Sequence, residues 1–291
     1  MLGVVNLDKP TGPTSHDMVG LVRRLTGMRR IGHAGTLDPL ASGVLPILVG
    51  SATRFSEELS GSAKRYTATI RLGQRSVTDD AEGPITTDAG PLPGEAQVAT
   101  ALATFVGALE QVPPAFSARK RDGLTAYRAA RAGKPLELAP RHVRVDSIDL
   151  LAMEPGDAWL DVEIDLRCGP GTYVRSIARD LGERLGCGGH LHALRRTEAA
   201  GLRVETALTP PQLEELASEG RLEEAVLPIA ALLPLPCLAL EPEAVRRFLH
   251  GAAQPLPSAL EGRHAVYDGS ELVGVGTLHE GILRPDKVLT P

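Results

Sequence analysis

The run VLPILVG, residues 44–50, narrows the possible folds more than any other stretch of this chain. Its length suits a strand rather than a helix or a membrane span, and its apolar character places that strand in the interior. The loop directly ahead, GHAGTLDPLASG at 32–43, is therefore held against a rigid core, yet it carries His33 and Asp38. Pro39 confines the Asp38 backbone to extended conformations and removes a local donor. Gly32, Gly35 and Gly43 let the loop approach another object closely. From spacing alone, Asp38 is open to two readings: a turn residue satisfied by its own loop, or a nucleophile or base.

A chain of 291 residues buries a sizeable core and suits one large domain plus a small one. Its 43% hydrophobic and 23% charged content is that of a soluble globular protein. The opening MLGVVNLDKPTGPTSHD has neither a basic n-region nor a long apolar h-region, so no signal peptide is expected and a cytoplasmic location is the default. Three cysteines, Cys168, Cys187 and Cys237, are odd in number and unequally spaced, which argues against a disulfide framework. In CGGHLH, Cys187, His190 and His192 lie close together, but no second ligand pair accompanies them, so no metal is expected. GVG at 274–276 and GCGG at 186–189 head no strand–loop–helix phosphate signature, and nothing implies a nucleotide cofactor.

Charge is segregated. The chain carries −5 overall, but between Ala115 and Val145 eight basic residues face only Asp122 and Glu137, a local +6 that leaves −11 elsewhere. Such a distribution fits a polyanion site on an acidic protein and, equally, the solvated face of an exposed helical hairpin.

Periodicity places the remaining pieces. Thr14 or Ser15 caps a helix bearing Met18, Val22 and Leu25 that stops at Gly27. KRYTATIRLG, 64–73, alternates as a strand with Tyr66, Ala68, Ile70 and Leu72 on one face. Residues 76–94 read as loop, and EAQVATALATFVGALE as a helix with Val98, Leu102, Phe105 and Leu109 in one stripe. LTAYRAARAG reads as a short helix ending at Gly133, and WLDVEIDLRCG as a strand alternating Val162, Ile164, Leu166 and Cys168. GPGTYVRS leads into a helix bearing Ile177, Leu181 and Leu185, closed by Gly186, with a further helix over 211–225. Four prolines in 227–242 mark a domain boundary. Beyond them come a short helix, EAVRRFLHG, and strands at HAVY, ELVGVGTL and KVLTP, with Asp268-Gly269 suited to a hairpin.

Tyr66 lies on an otherwise apolar face, pointing to the core or to a cleft. Tyr173 and Arg175 open a helix after two glycines; Arg175, if buried, needs a carboxylate, and Asp38 is the candidate.

In order, KPTGPTSHD, GHAGTLDPLASGVLPILVG, KRYTATIRLG, PPAFSARKRDGLTAYRAARAG and GTYVRSIARDLGERLGCGGHLHALRRT resemble the bacterial tRNA pseudouridine-55 synthases of the TruB type. The block GHxGxLDPxAxGxLP sets that wider group apart from other pseudouridine synthases. The resemblance implies an α+β fold: a mixed, mostly antiparallel sheet with flanking helices over 1–235, a basic thumb inserted at about 115–145, and a small, mainly β PUA-like RNA-binding domain at 236–291. It makes Asp38 the catalytic aspartate, Arg175 its ion-pair partner and Tyr66 the residue that stacks on the target base and helps move the C2′ proton. Tyr173 and Leu194 would line the base pocket, with His33 near the flipped-out nucleotide. Arg119, Lys120, Arg121, Arg128, Arg131, Arg141 and Arg144 would belong to the thumb, closing on the T-arm of tRNA. The reaction turns uridine 55 into pseudouridine after base flipping and calls for no cofactor and no metal; the family works as a monomer, with no membrane. Three rivals stand beside this reading: an RNA-binding or RNA-folding factor using the same basic segment, an aspartyl-nucleophile hydrolase of phosphate or sugar esters, and a guide-RNA-dependent synthase of the same group. Against the hydrolase, Asp38 lacks a second carboxylate two residues on.

Overall fold

The computed structural model describes the chain apart from Ala89, Ala118, Arg119, Asp122, Gly123, Pro135, Pro257, Ser258, Thr290 and Pro291, and apart from the side chains of Lys120, Arg121, Leu124, Thr125, Tyr127 and Arg131. The first strand, β1 (Gly3–Lys9), leads into α1 (Ser15–Thr26). Thr14 caps α1: its hydroxyl accepts from the Asp17 N–H while the Asp17 carboxylate accepts from the Thr14 N–H, and Gly27 ends the helix at φ 67°. Next come β2 (Ile31–His33) and β3 (Ser42–Val49), the latter pairing antiparallel with β1 from Gly3↔Val49 to Lys9↔Gly43. Strand β3 is apolar throughout because it is covered on both sides. Leu45, Ile47 and Val49 enter the core under the helices, whereas Val44 and Leu48 enter a second core against the C-terminal module.

After α2 (Ser56–Ser60) comes β4 (Lys64–Leu72), whose alternation buries Lys64, Tyr66, Ala68, Ile70 and Leu72. A small hairpin, β5 (Gln74–Ser76) with β6 (Ile85–Thr87), lies inside the segment expected to be loop. The expected helix from Glu95 is shorter than its periodicity implies. α3 covers Glu95–Ala103, Gly107 adopts φ 112°, and Leu109 sits on β7 (Gly107–Gln111). A positive φ cannot continue a helix, and pairing with a neighbouring strand captures the residues beyond it.

The basic segment holds β8 (Lys120–Arg121), β9 (Leu124–Thr125) and α4 (Ala126–Arg131). Then follow β10 (Arg141–Pro155), β11 (Leu160–Cys168), α5 (Val174–Leu185), β12 (Gly189–Ala199) and β13 (Leu202–Arg203). The expected helix over 211–225 splits into α6 (Pro210–Ser218) and a short 3-10 turn at Leu222–Ala225, with Gly220 at φ 72° breaking it. β14 (Val226–Leu227) returns to the edge beside β1.

The large sheet runs β14-β1-β3-β12-β4-β11-β10-β7, with β2 on β3 and β13 on β12. All its pairings are antiparallel except β12 with β3. One face is covered by α1, α3, α5 and α6, where Met18, Val22, Val98, Leu102, Ile177, Leu181 and Leu213 meet the inward strand residues. The chain then forms β15 (Cys237–Leu240), α7 (Pro242–Leu249), β16 (Gln254–Pro255), β17 (Gly262–Asp268), β18 (Glu271–His279) and β19 (Ile282–Val288). These make a second, five-stranded sheet, β15-β17-β18-β19-β16, around Phe248. Ala265, Leu272, Val275 and Leu289 dock this module on the first sheet beside Phe55 and Leu59. No helix among the described residues is long and apolar enough to cross a membrane.

Candidate active site

Asp38 ends a loop that is fixed from three directions. Ser15, at the start of α1, accepts the Leu37 N–H (2.8 Å) and donates to the Leu37 carbonyl (2.9 Å). The buried Lys9 ammonium donates to the carbonyls of Pro10 (2.9 Å) and Pro13 (2.7 Å), and the Gly12 N–H to that of Pro39 (2.8 Å). On the far side Arg196, 1% exposed, donates to the carbonyls of Gly35 (3.0 Å), Thr36 (3.4 Å) and Val44 (2.7 Å). The loop is thus pre-organised before any ligand arrives, while the Asp38 side chain keeps 41% of its surface open.

Arg175 lies in the first turn of α5, two residues after Tyr173. Gln111, fully buried at the end of β7, fixes that turn: its carbonyl accepts the Tyr173 N–H (2.8 Å) and its amide donates to the Tyr173 carbonyl (3.1 Å). The Arg175 guanidinium reaches Asp38 at 2.8 Å and Asp80 at 3.3 Å, and donates to the carbonyls of Phe116 (3.0 Å) and Thr78 (3.3 Å). Asp80 is itself buried and oriented by the Thr78 hydroxyl (2.5 Å) and the Glu82 N–H (3.1 Å). Behind it, Arg179 pairs with Asp79, which adopts φ 61°.

A cavity of about 560 Å³ opens over Asp38 and Arg175, a size suited to one nucleoside-sized group. Its walls include Tyr66, Phe116, Tyr173, Val174 and Leu194, together with Lys64 and Arg196. Burial pushes the Tyr66 hydroxyl above its usual range and leaves it neutral. The Lys64 ammonium is brought down to about 8, first by burial and then by the nearby Arg196 charge.

Five of the residues singled out in the sequence, Asp38, Tyr66, Tyr173, Arg175 and Leu194, therefore share one cavity, and the pairing of Asp38 with Arg175 is direct. His33 stands apart on β2 and does not line the cavity; its Nδ1 is buried without a partner, and burial followed by the Arg196 charge lowers its pKa. Arg141 borders a neighbouring hollow of about 320 Å³ that shares Gly171 with the main cavity. Arg144 pairs with Asp146 at 2.9 Å, and Arg128 is exposed. Arg119, and the side chains of Lys120, Arg121 and Arg131, lie outside the described residues. Cys187 and His190 are buried near β12, and among the described residues no group of three His, Cys, Asp or Glu side chains is placed to hold a metal.

Lys64, Asp80, Gln111 and Arg196 were not anticipated. A signal existed for Lys64, which precedes Tyr66 by two and so shares its inward face. Arg196 belongs to β12, a strand hidden by the polar sequence HALRRT. Asp80 carried no signal, because its orientation is set by a loop.

A family model described as the N-terminal domain of the TruB family pseudouridylate synthases matches residues 23–174, and one described as the tRNA pseudouridylate synthase B C-terminal domain matches 175–234. The chain belongs to the TruB family of pseudouridylate synthases. Among its relatives, tRNA pseudouridine synthase B of Ralstonia nicotianae is 43% identical over 297 residues, covering 99% of this chain and 94% of the relative. That of Burkholderia pseudomallei is 43% identical over 296 residues, covering 99% and 96%. Among solved structures, a Cbf5–Nop10–Gar1 complex matches with a TM-score of 0.76 at 29% identity, over 100% of this chain and 85% of the other. An H/ACA ribonucleoprotein bound to a substrate RNA containing 2′-deoxyuridine matches with 0.75 at 28%, over 100% and 86%.

Proposed function

We propose that the chain isomerises the T-loop uridine of tRNA, position 55, to pseudouridine, with Asp38 acting on a flipped-out nucleotide. The observation that carries this reading is the Asp38–Arg175 pair, 2.8 Å apart, at the floor of a cavity walled by Tyr66, Tyr173 and Leu194. The relatives named above as tRNA pseudouridine synthase B support the choice of tRNA.

A uridine inside a stacked loop cannot reach Asp38. Extruding it costs a few kcal/mol, offset by stacking on Tyr66 and contacts with the apolar wall. Arg175 holds the Asp38 carboxylate toward the cavity, and the C1′–N1 bond breaks. The base then turns, C5 joins C1′, C5 gives up its proton and N1 gains one. Every atom is conserved and no electron acceptor is needed, so the residues lining the cavity suffice and we read the enzyme as free of metal and cofactor. The basic segment 115–145, with Arg119, Lys120, Arg121, Arg128, Arg131, Arg141 and Arg144, serves as a clamp on T-arm phosphates. The module from 236 onward serves as a PUA-like RNA-binding domain. The enzyme works as a monomer in the cytoplasm.

The test uses purified protein and an unmodified T-arm hairpin, with pseudouridine read by mass spectrometry for wild type and Asp38→Asn. Conversion by wild type alone, with RNA affinity nearly unchanged in the variant, is the expected result. Tight binding by wild type without conversion would instead favour the RNA-folding role.

A further inference from the structure

The cavity holds more positive charge than the Asp38–Arg175 pair accounts for. Arg175 faces two carboxylates, Asp38 and Asp80. The other two cations in the cavity wall are bonded to neutral groups instead. Lys64, 8% exposed, donates to the carbonyls of Ser60 (2.5 Å) and Ser62 (2.7 Å), which leaves its third hydrogen unassigned. Among the described residues Arg196 donates to backbone carbonyls, and its charge is the strongest one acting on the Tyr66 hydroxyl after burial. The three residues are contiguous: Lys64 and Tyr66 share the inward face of β4, and Arg196 is the direct cross-strand partner of Tyr66.

Burying a cation without a counter-ion is costly. Tying a loop requires donors but no charge, so the retained charge calls for an anion that visits the cavity. Heterolysis of C1′–N1 supplies one: the electron pair stays with the base, which becomes an anion spread over N1, O2 and O4 until C5 bonds C1′ and the C5 proton is replaced by one on N1. Cations fixed beforehand lower the energy of that anion without tightening the neutral uridine.

We propose that Lys64 is a further catalytic residue, whose ammonium stabilises the negative charge on the detached base, and that Arg196 is a positioning residue acting through the Tyr66 hydroxyl, which it polarises toward the same charge. This rests on the reading of the cavity as the pseudouridine site. The groups facing the ammonium are Cys168 on β11, Arg196 on β12 and the carbonyls of Ser60, at the end of α2, and Ser62; burial holds the Cys168 thiol neutral, at about 11. Lys64 is the member of this set that titrates near neutrality, at about 8, and the charged form is the useful one. Turnover therefore falls as pH rises through that value.

The test is single-turnover cleavage of the N-glycosidic bond in T-arm hairpins carrying either uridine or 5-fluorouridine, whose base leaves as the weaker base. Lys64→Met should slow the uridine hairpin by about 100-fold with RNA Kd within about 3-fold. It should slow the fluorinated hairpin by about 10-fold less, and it should lose the alkaline limb. Arg196→Gln should show the same substrate dependence, and that dependence should vanish in a Tyr66→Phe background. Equal slowing of both hairpins by Lys64→Met, with the alkaline limb intact, would overturn the proposal. Should Lys64→Met not fold, Lys64→Arg decides: retained activity with the alkaline limb moved upward supports the proposal, and an unmoved limb refutes it. Wild type inert on both hairpins would mean that the underlying reading of the site has failed; active wild type with unimpaired Lys64→Met would mean that this inference alone has.

Discussion

Asp80 does not line the cavity, yet replacing it with Asn should slow the reaction by about 10- to 100-fold. The amide carbonyl oxygen can keep both bonds that orient the loop, from the Thr78 hydroxyl and the Glu82 N–H. The atom facing Arg175 at 3.3 Å, however, changes from a carboxylate oxygen to an NH₂ group, setting donor against donor. Removing one member of a buried ion pair costs about 3–5 kcal/mol when the other is stranded. Here Arg175 is not stranded, because Asp38 remains at 2.8 Å, so the loss should be about 1.5–3 kcal/mol, the range for a charged hydrogen bond. Arg175 then has Asp38 as its remaining carboxylate, which draws that carboxylate toward the guanidinium and away from the cavity, and each 1.4 kcal/mol costs about a factor of ten in rate. Single-turnover conversion at saturating hairpin measures the rate, filter binding measures Kd, and thermal unfolding checks that the chain folds. A variant with undiminished rate, or one whose Kd weakens as much as its rate, would refute this account of Arg175.

Other consequences are equally direct. Gly43→Ala places a methyl at φ 100°, 2.2 Å from the Arg196 carbonyl oxygen, and should lower stability by about 3 kcal/mol or more, read as a drop in Tm. Glu58 joins α2 to the C-terminal module through Lys287 (2.7 Å) and Arg263 (2.8 Å). Burial works to raise its carboxyl, but the hydrogen bonds from Lys287 and Arg263 carry it below the ordinary 4.5. Its contribution, about 1.5–3 kcal/mol, is therefore full above that pH and fades as pH falls below it; Glu58→Gln should lose most near pH 7 and little in acid, by thermal unfolding across pH. Arg141 is exposed and makes no ion pair among the described residues, so Arg141→Ala should weaken hairpin binding and flatten its log–log salt slope by about 0.7–0.9, leaving the rate at saturation unchanged.

The strands whose inward faces alternate, β4 and β11, and the helices with a clear glycine terminator, α1 at Gly27 and α5 at Gly186, were legible in the sequence because each obeys one period and one terminator. β12 was not, since the buried His190, the half-buried His192 and the inward Arg196 break the apolar alternation that marks a strand. β10 was missed because bulges near Asp146 and Leu151 shift its faces midway. At the site, the Asp38–Arg175 pair and its aromatic wall followed from motif resemblance, supported by the apolar strand beside the loop. Asp80 and Gln111 act through loop geometry and main-chain contacts, which depend on three-dimensional approach and leave no periodic trace.

The parallel contact of β3 with β12 joins Ser42 to Arg195 and Gly43 to Arg196, across about 150 residues of intervening chain. During synthesis, the segment bearing the aspartate leaves the ribosome early, whereas its guanidinium partner on α5 and the strand that props its loop emerge much later. Until then, part of one β3 edge is without its neighbour, an aggregation hazard that rapid closure by β12 removes. The nascent chain is chemically silent over that interval. Competence to modify RNA thus certifies that this long-range parallel pairing in the large sheet has already closed.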